Sequence, residues 1–359
     1  MSRQTQAIIH ADAIIDNYKA LSALAPTSKT MAVIKADAYG HGAVNVARLL
    51  RGQCGQFAVA IIEEALALRE AGITAPIVVL EGPHQDRECQ LAAQHNCILV
   101  AHTEQQLAWL ARCPSSQRPV VWLKVDTGMH RLGFEPGQVL PMLDKYAPVF
   151  SSQTVLTTHF ASADDPDNPF TREQLLRFSL LREQTGLAVS MANSPATVGW
   201  PASHGDWNRV GIAMYGGEPL VKPVDGAPEL RPAMTLRSSV MAVRNVASGE
   251  SVGYGQAWRA TRPSRIATVA IGYADGYPRH CPNGTPVAVN GQRASLAGRV
   301  SMDMITVDVT DLEPVYPGDR VELWGNTIPV DEVAHAAGTI SYELLTRLSM
   351  RVPRIVKHV

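Results

Sequence analysis

Lys35 ends the apolar run Met31-Ala32-Val33-Ile34 and is followed at once by the polar, glycine-broken segment Ala36-Asp37-Ala38-Tyr39-Gly40-His41-Gly42. A β-branched run reads as a buried strand, so a lysine closing it faces a site rather than bulk water. Desolvation disfavours an ammonium, and a neutral amine can attack a carbonyl or take a proton. Other chemistry-bearing residues recur at comparable places. Lys124 and Arg131 sit at and just after the run Val120–Val125, and His159 closes Thr154–His159. Asn193 and Ser194 follow Ala188–Ala192, while Arg209 and Gly211 lie around Val210–Met214.

The elements that position these groups follow from periodicity. From about residue 10 to 230, apolar strands alternate with amphipathic segments. The remaining candidate strands are Phe57–Ile61, Ile77–Leu80 and Cys97–Ala101, which brings the total to eight. Helical spacing appears between them, as in Ile14, Ile15, Tyr18 and Leu21, or Leu175, Leu176, Phe178 and Leu181. Eight strands with intervening helices predict an α/β fold, a (β/α)8 TIM-like barrel whose active site lies at the carboxyl ends of its strands. The reactive residues gather on that face. After Pro232, short Val/Thr-rich segments such as Arg265–Ile271, Pro286–Val289, Ile305–Val309 and Arg320–Trp324 are separated by Gly, Pro and Asn turns. This texture predicts a C-terminal β domain over 231–359.

Bulk properties narrow the function. With 359 residues the chain exceeds one ordinary core. Its formal net charge of -1 gives no electrostatic case for nucleic acid or an anionic membrane. Met1 to His10 does not read as a secretory signal, and no run approaches the roughly 20 apolar residues of a membrane span. Cys54, Cys89, Cys97, Cys113 and Cys281 lack paired spacing and read as reduced thiols of a cytoplasmic protein without a metal site.

The segment Val33-Ile34-Lys35-Ala36-Asp37-Ala38-Tyr39-Gly40-His41-Gly42 resembles the pyridoxal-phosphate lysine motif of the alanine racemases. The likeness continues in order through Leu123–Gly133, Asn208–Gly216, Val252–Gly255 and Gly298–Met304. It implies an enzyme that interconverts L- and D-alanine with pyridoxal 5'-phosphate on Lys35, supplying or consuming D-alanine for peptidoglycan. It also implies that residues 1–9 add a strand to the β domain, and that two chains form a homodimer with shared active sites.

The resemblance assigns roles to individual residues. Lys35 and Tyr254 are the two bases on opposite faces of the substrate Cα. A phenol is a poor base at neutral pH, so Tyr254 needs positive neighbours, with His159 and Arg209 as a relay. Tyr39, Tyr342, Ser194 and the backbone at Gly211 and Ile212 take the phosphate, and Asn193 stands beside them. Arg209 is the partner of the ring nitrogen. Arginine only donates, so the nitrogen stays largely unprotonated and the ring is a weaker electron sink than an aspartate would make it. That curbs side reactions such as transamination. Arg131 matches the arginine that binds the substrate carboxylate, and Lys124 a lysine that is often carbamylated. Met302, Asp303 and Tyr273 match residues at the pocket mouth, and the bulk of Tyr254, Tyr342 and Met302 closes the pocket beyond a methyl side chain. Ser190 stands where the family often has a histidine in the arginine's network.

Three rivals remain at this stage. A serine or broad-spectrum racemase would tolerate larger substrates. A decarboxylase on the same architecture is not expected to combine Arg209 with Tyr254. A non-catalytic pyridoxal-phosphate carrier would lack the β domain.

Overall fold

The structure is a computed structural model that describes residues 3–358. The chain divides into two compact units. One comprises Ile15–Met214 with Pro219–Glu229, and the other the N-terminal segment to Ile14, Tyr215–Glu218 and everything from Leu230 onward.

The first strand, β1 (Gln6–His10), belongs to the second unit. The first unit holds β2 (Lys29–Val33), β3 (Phe57–Val59), β4 (Ile77–Val79), β5 (Cys97–Ala101), β6 (Val121–Lys124), β7 (Val155–Thr157), β8 (Ala188–Ser190) and β9 (Trp207–Val210). All eight run parallel in the order β8-β7-β6-β5-β4-β3-β2-β9. Arg209 N–H donates to Ala192 O at 2.9 Å, which joins the two edges into the expected barrel. Strand residues such as Met31, Ala32, Ile77, Val78, Leu99 and Leu123 are completely buried, as a sheet covered on both faces requires.

Two strand boundaries differ from the sequence reading in ways that matter for the site. The first barrel strand is Lys29–Val33 rather than Met31–Lys35, so Lys35 opens the turn beyond it. The last is Trp207–Val210 rather than Val210–Met214. There Gly211 turns the chain, and Ile212–Tyr215 forms a tight turn in which Met214 N–H donates to Gly211 O at 2.9 Å. Apolar side chains at 212–214 are buried in that turn, which is why the sequence resembled a strand.

The second unit adds β10 (Met234–Val246), β11 (Ser251–Val252), β12 (Trp258–Arg259), β13 (Ser264–Val269), β14 (Pro286–Val289), β15 (Gln292–Leu296), β16 (Ile305–Asp308), β17 (Arg320–Trp324) and β18 (Arg354–Lys357). The order is β13-β16-β15-β14-β17-β10-β1-β18, and β13 also pairs with β10, closing six strands into a ring. β1 lies between β10, antiparallel, and β18, parallel. The segment is mainly rather than purely β. Helices Val330–Ala336 and Ser341–Thr346 interrupt it, burying Val330, Val333 and Ala334, then Leu344 and Leu345, at helical spacing.

Candidate active site

The carboxyl ends of the barrel strands collect four cationic side chains and an imidazole. Arg209, on β9, is 5% exposed and its guanidinium is caged. Nη1 donates to Ser190 Oγ at 2.7 Å, Ser190 O at 2.9 Å and Thr157 Oγ1 at 3.2 Å. Nη2 donates to Thr158 O at 2.8 Å and Met191 O at 3.1 Å, and lies 3.4 Å from His159 Nδ1. Burial pulls its pKa down to about 10, which still leaves it charged at neutral pH. Ser190 thus completes the cage with a hydroxyl and a carbonyl in place of the imidazole expected from the family pattern.

His159 follows β7 and cannot be the positive neighbour the sequence reading wanted. Burial, then the charges of Arg209, Lys124, Arg131 and Lys35, push its pKa well below the usual imidazole value. A neutral ring beside Arg209 accepts through Nδ1. Lys124 ends β6 and titrates at about 8, lowered by burial and by Arg209, Arg131 and Lys35, with Asp126 opposing. Arg131 is exposed on a loop whose ends meet at a Val125–Phe134 bridge, while Asp126 Oδ1 accepts the N–H groups of Gly128 and His130 at 2.8 and 3.1 Å.

Lys35 is half-buried, and its pKa is lowered chiefly by burial and then by Arg131, with Glu81 and Glu64 pulling the other way. The backbone after it is unusual. Ala36, Asp37, Ala38 and Tyr39 have φ of 51°, 52°, 54° and 52°, a left-handed turn built without glycine. Each such residue is disfavoured by roughly 1–2 kcal/mol, and strain of this kind concentrates at functional sites. The turn delivers Tyr39, 7% exposed, over Gly211. A Cβ on Gly211 would stand 2.6 Å from the Tyr39 hydroxyl, so only glycine permits this approach.

Ser194 Oγ accepts Gly211 N–H at 2.7 Å and Ala213 N–H at 3.5 Å, which leaves its own O–H to donate outward. The Gly211 amide is therefore engaged by Ser194 instead of pointing at a ligand. Asn193 is likewise occupied, since its side chain caps the helix Ser194–Gly199 by accepting Ala196 N–H at 3.1 Å.

The other predicted residues lie in the second unit. Tyr254 occupies the turn between β11 and β12, flanked by Gly253 and Gly255 at φ 74° and 66°, and is 70% exposed. Met302 is 54% exposed, and Tyr342 opens the helix Ser341–Thr346. Asp275 is fully buried at a hub, held by Arg3 at 2.5–2.6 Å and accepting Gly272 N–H at 3.0 Å. Gly272 packs so tightly that a Cβ would lie 2.3 Å from Met302 O, which ties the Tyr273 loop to the Met302 loop. Sequence reasoning missed Thr157 and Thr158, whose polar groups at a strand end were the available signal, and Glu64, which lies in the first turn of the helix Ile62–Glu70. Among the described residues no cluster of metal-ligand type occurs, and no helix is long and apolar enough to cross a membrane.

A lysine of lowered pKa and a donor-only arginine at the open end of a parallel barrel suit one class, the barrel enzymes that carry pyridoxal phosphate on lysine. Family models narrow the class. Residues 9–219 match the alanine racemase N-terminal domain and 233–356 the alanine racemase C-terminal domain. An alanine racemase of Alteromonas mediterranea is 64% identical, with all of both chains covered. The biosynthetic alanine racemase of Pseudomonas aeruginosa superposes with a TM-score of 0.94 at 44% identity, covering 99% of this chain and 100% of that one. An alanine racemase of Bartonella henselae with covalently bound pyridoxal phosphate gives 0.89 at 32% identity, covering 98% and 99%. The chain belongs to the alanine racemase family.

Proposed function

We propose that the chain interconverts L- and D-alanine with pyridoxal phosphate joined to Lys35, using Lys35 and Tyr254 as the two bases. D-alanine so formed or removed connects the reaction to peptidoglycan. The observation that carries the residue roles is the gathering of Lys35, Lys124, Arg131 and Arg209 on one barrel face, where burial first, and then Arg131 and Arg209, keep the amine of Lys35 below its ordinary basicity. The bound cofactor supplies an electron-withdrawing ring that acidifies the substrate's Cα proton.

The residues present fit that group. The bonds of Arg209 run through Nη1 and Nη2, so Nε–H is the donor left for the ring nitrogen. The Ser194 hydroxyl, Tyr39 over Gly211, the Ile212 backbone and Tyr342 take the phosphate, with Asn193 holding the Ser194 helix start and His159 oriented by Arg209. Lys35, desolvated and beside Arg131, takes and returns a proton at one face of Cα. Tyr254 serves the other face, Arg131 holds the substrate carboxylate, and Met302 limits the side chain. Lys124, half neutral near pH 8, would add carbon dioxide with loss of a proton to form a carbamate that gives Arg131 an anionic partner.

The two bases come from different chains in this reading. Residues 10–230 form the cofactor barrel, and 231–359 with 1–9 form the domain that covers a partner's barrel. Support comes from the second unit's exposed apolar groups: Tyr254 70%, Met302 54%, Met304 41% and Met350 90%. A homodimer in a reducing cytoplasm also suits five buried, unbridged cysteines. Borohydride reduction of the holoenzyme followed by peptide mapping tests the core assignment. The cofactor adduct belongs on Lys35, and an adduct on Lys124 or another lysine contradicts it.

A further inference from the structure

We propose that Glu64 is a positioning residue for Lys35: its carboxylate pins the start of the left-handed turn that aims the lysine. This rests on the assignment of Lys35 above and deepens it.

The turn Ala36–Tyr39 is internally braced at its far end. Gly40 N–H donates to Ala36 O at 3.1 Å, Gly42 N–H to Asp37 O at 2.9 Å, and Asp37 Oδ1 accepts Ala43 N–H at 2.7 Å. Its near end is held from within, where Ala38 N–H donates to Ile34 O at 2.9 Å, and also from outside. Ala36 N–H, the first amide after Lys35, donates to Glu64 Oε1 at 2.6 Å. The other oxygen, Oε2, accepts Ala60 N–H at 2.7 Å, from the segment just past β3. One carboxylate therefore ties together the carboxyl ends of two adjacent barrel strands.

Helix capping explains half of this arrangement. Glu64 lies in the first turn of the helix Ile62–Glu70, where an acidic side chain reaching back to a preceding amide is ordinary. The bond to Ala36 serves no cap. It reaches across to another element, at the residue next to the reactive amine, where the backbone is forced into a disfavoured region. Glu63, the exposed neighbour in the same turn, has no such contact among the described bonds and provides a control.

Charge adds a second effect. Glu64 and Glu81 favour the ammonium of Lys35 and so offset burial and Arg131. A carboxamide at residue 64 can accept one of the two amides but turns a donor toward the other, and it removes the charge. The substitution Glu64→Asp keeps the charge but shortens the reach.

The test compares Glu64→Gln, Glu64→Asp and Glu63→Gln as cofactor-loaded protein, with borohydride labelling of Lys35 as the common check. A misplaced reactive group costs up to about a hundredfold. Glu64→Gln and Glu64→Asp should each lower kcat by about tenfold or more with KM for alanine little changed, and Glu63→Gln should match wild type. Reductive methylation of the cofactor-free protein against pH reports the Lys35 amine directly. Its titration should move down in Glu64→Gln and stay in place in Glu64→Asp. Wild-type kcat in Glu64→Gln, or an unmoved amine there, overturns the proposal. Should Glu64→Gln not fold, Glu64→Asp decides alone: wild-type kcat overturns the proposal, and lowered kcat with an unmoved amine supports it. A label absent from Lys35 in the wild-type protein refutes the underlying assignment instead.

Discussion

The barrel and the β unit present their chemistry in opposite ways. At the barrel face most functional groups are held by the fold, with Arg209 in its cage of carbonyls and hydroxyls, Tyr39 over Gly211 and Lys35 at the head of a braced turn, while Arg131 is exposed on its loop. In the β unit the groups of interest are displayed. Tyr254 and Met302 are more than half exposed, on turns. The lesson is that one unit is a finished half of a site, with desolvation already imposed. The other is an exposed surface, which on the shared-site proposal acquires its low dielectric when a second copy covers it.

Substitutions can break this contrast. The largest effect belongs to Lys35→Ala, which on the proposed assignment removes both cofactor attachment and one base; racemisation should fall by roughly 10³–10⁴. Tyr254→Phe should cost roughly 10²–10⁴ while leaving the barrel's cofactor adduct intact. A Tyr254→Phe protein that has lost the adduct would show that the barrel is not a finished half.

Arg209→Glu tests the caged group. An anion among the carbonyls of Ser190, Thr158 and Met191 should lower the melting temperature, by an amount equivalent to about 3–5 kcal/mol. Protonation of the ring nitrogen should raise the transaminated fraction. Racemisation should slow. No rise in transamination would contradict the role given to this arginine.

A smaller effect is expected from Gly211→Ala. Its Cβ meets the Tyr39 hydroxyl at 2.6 Å, and overpacking of this kind costs about 1–3 kcal/mol. Equilibrium dialysis should show weaker cofactor retention, with kcat at saturating cofactor nearly preserved. The smallest is a pH effect on Lys124. A carbamate needs the neutral amine, and the pKa of about 8 lies below the ordinary lysine value. Carbamylation should therefore grow as pH rises through about 8 and vanish well below it, as followed by carbon-13 signals from labelled bicarbonate.

How much of this was legible in the sequence depended on locality. The barrel strands were readable because β-branched runs such as Cys97–Ala101 bury both faces, and the places of Lys35, Lys124 and His159 follow from strand ends, whereas Arg209 fell before the expected last strand and was marked by the family resemblance. The left-handed turn was not readable, since Ala36-Asp37-Ala38-Tyr39 carries no glycine to announce it. The charge state of His159 depends first on burial and then on four cations that meet only in space. Glu64 was hidden because its two contacts lie 28 and 4 residues away, and only the nearer is a helix-start pattern. In the second unit β10 escaped notice, because Arg237, Ser238 and Ser239 interrupt its apolar alternation while pairing with β17.

The central claim is that a working site joins Lys35 of one chain to Tyr254 of another, and mixed dimers test it most directly. Lys35→Ala and Tyr254→Phe proteins, each nearly inactive, are unfolded together and refolded with cofactor. Two-fold symmetry gives each mixed dimer one site with both defects and one with neither. Random pairing makes half the dimers mixed, so activity should return to about a quarter of wild type. Mixed dimers that demonstrably form yet stay at the level of the parent mutants would place both bases in one chain and contradict the account.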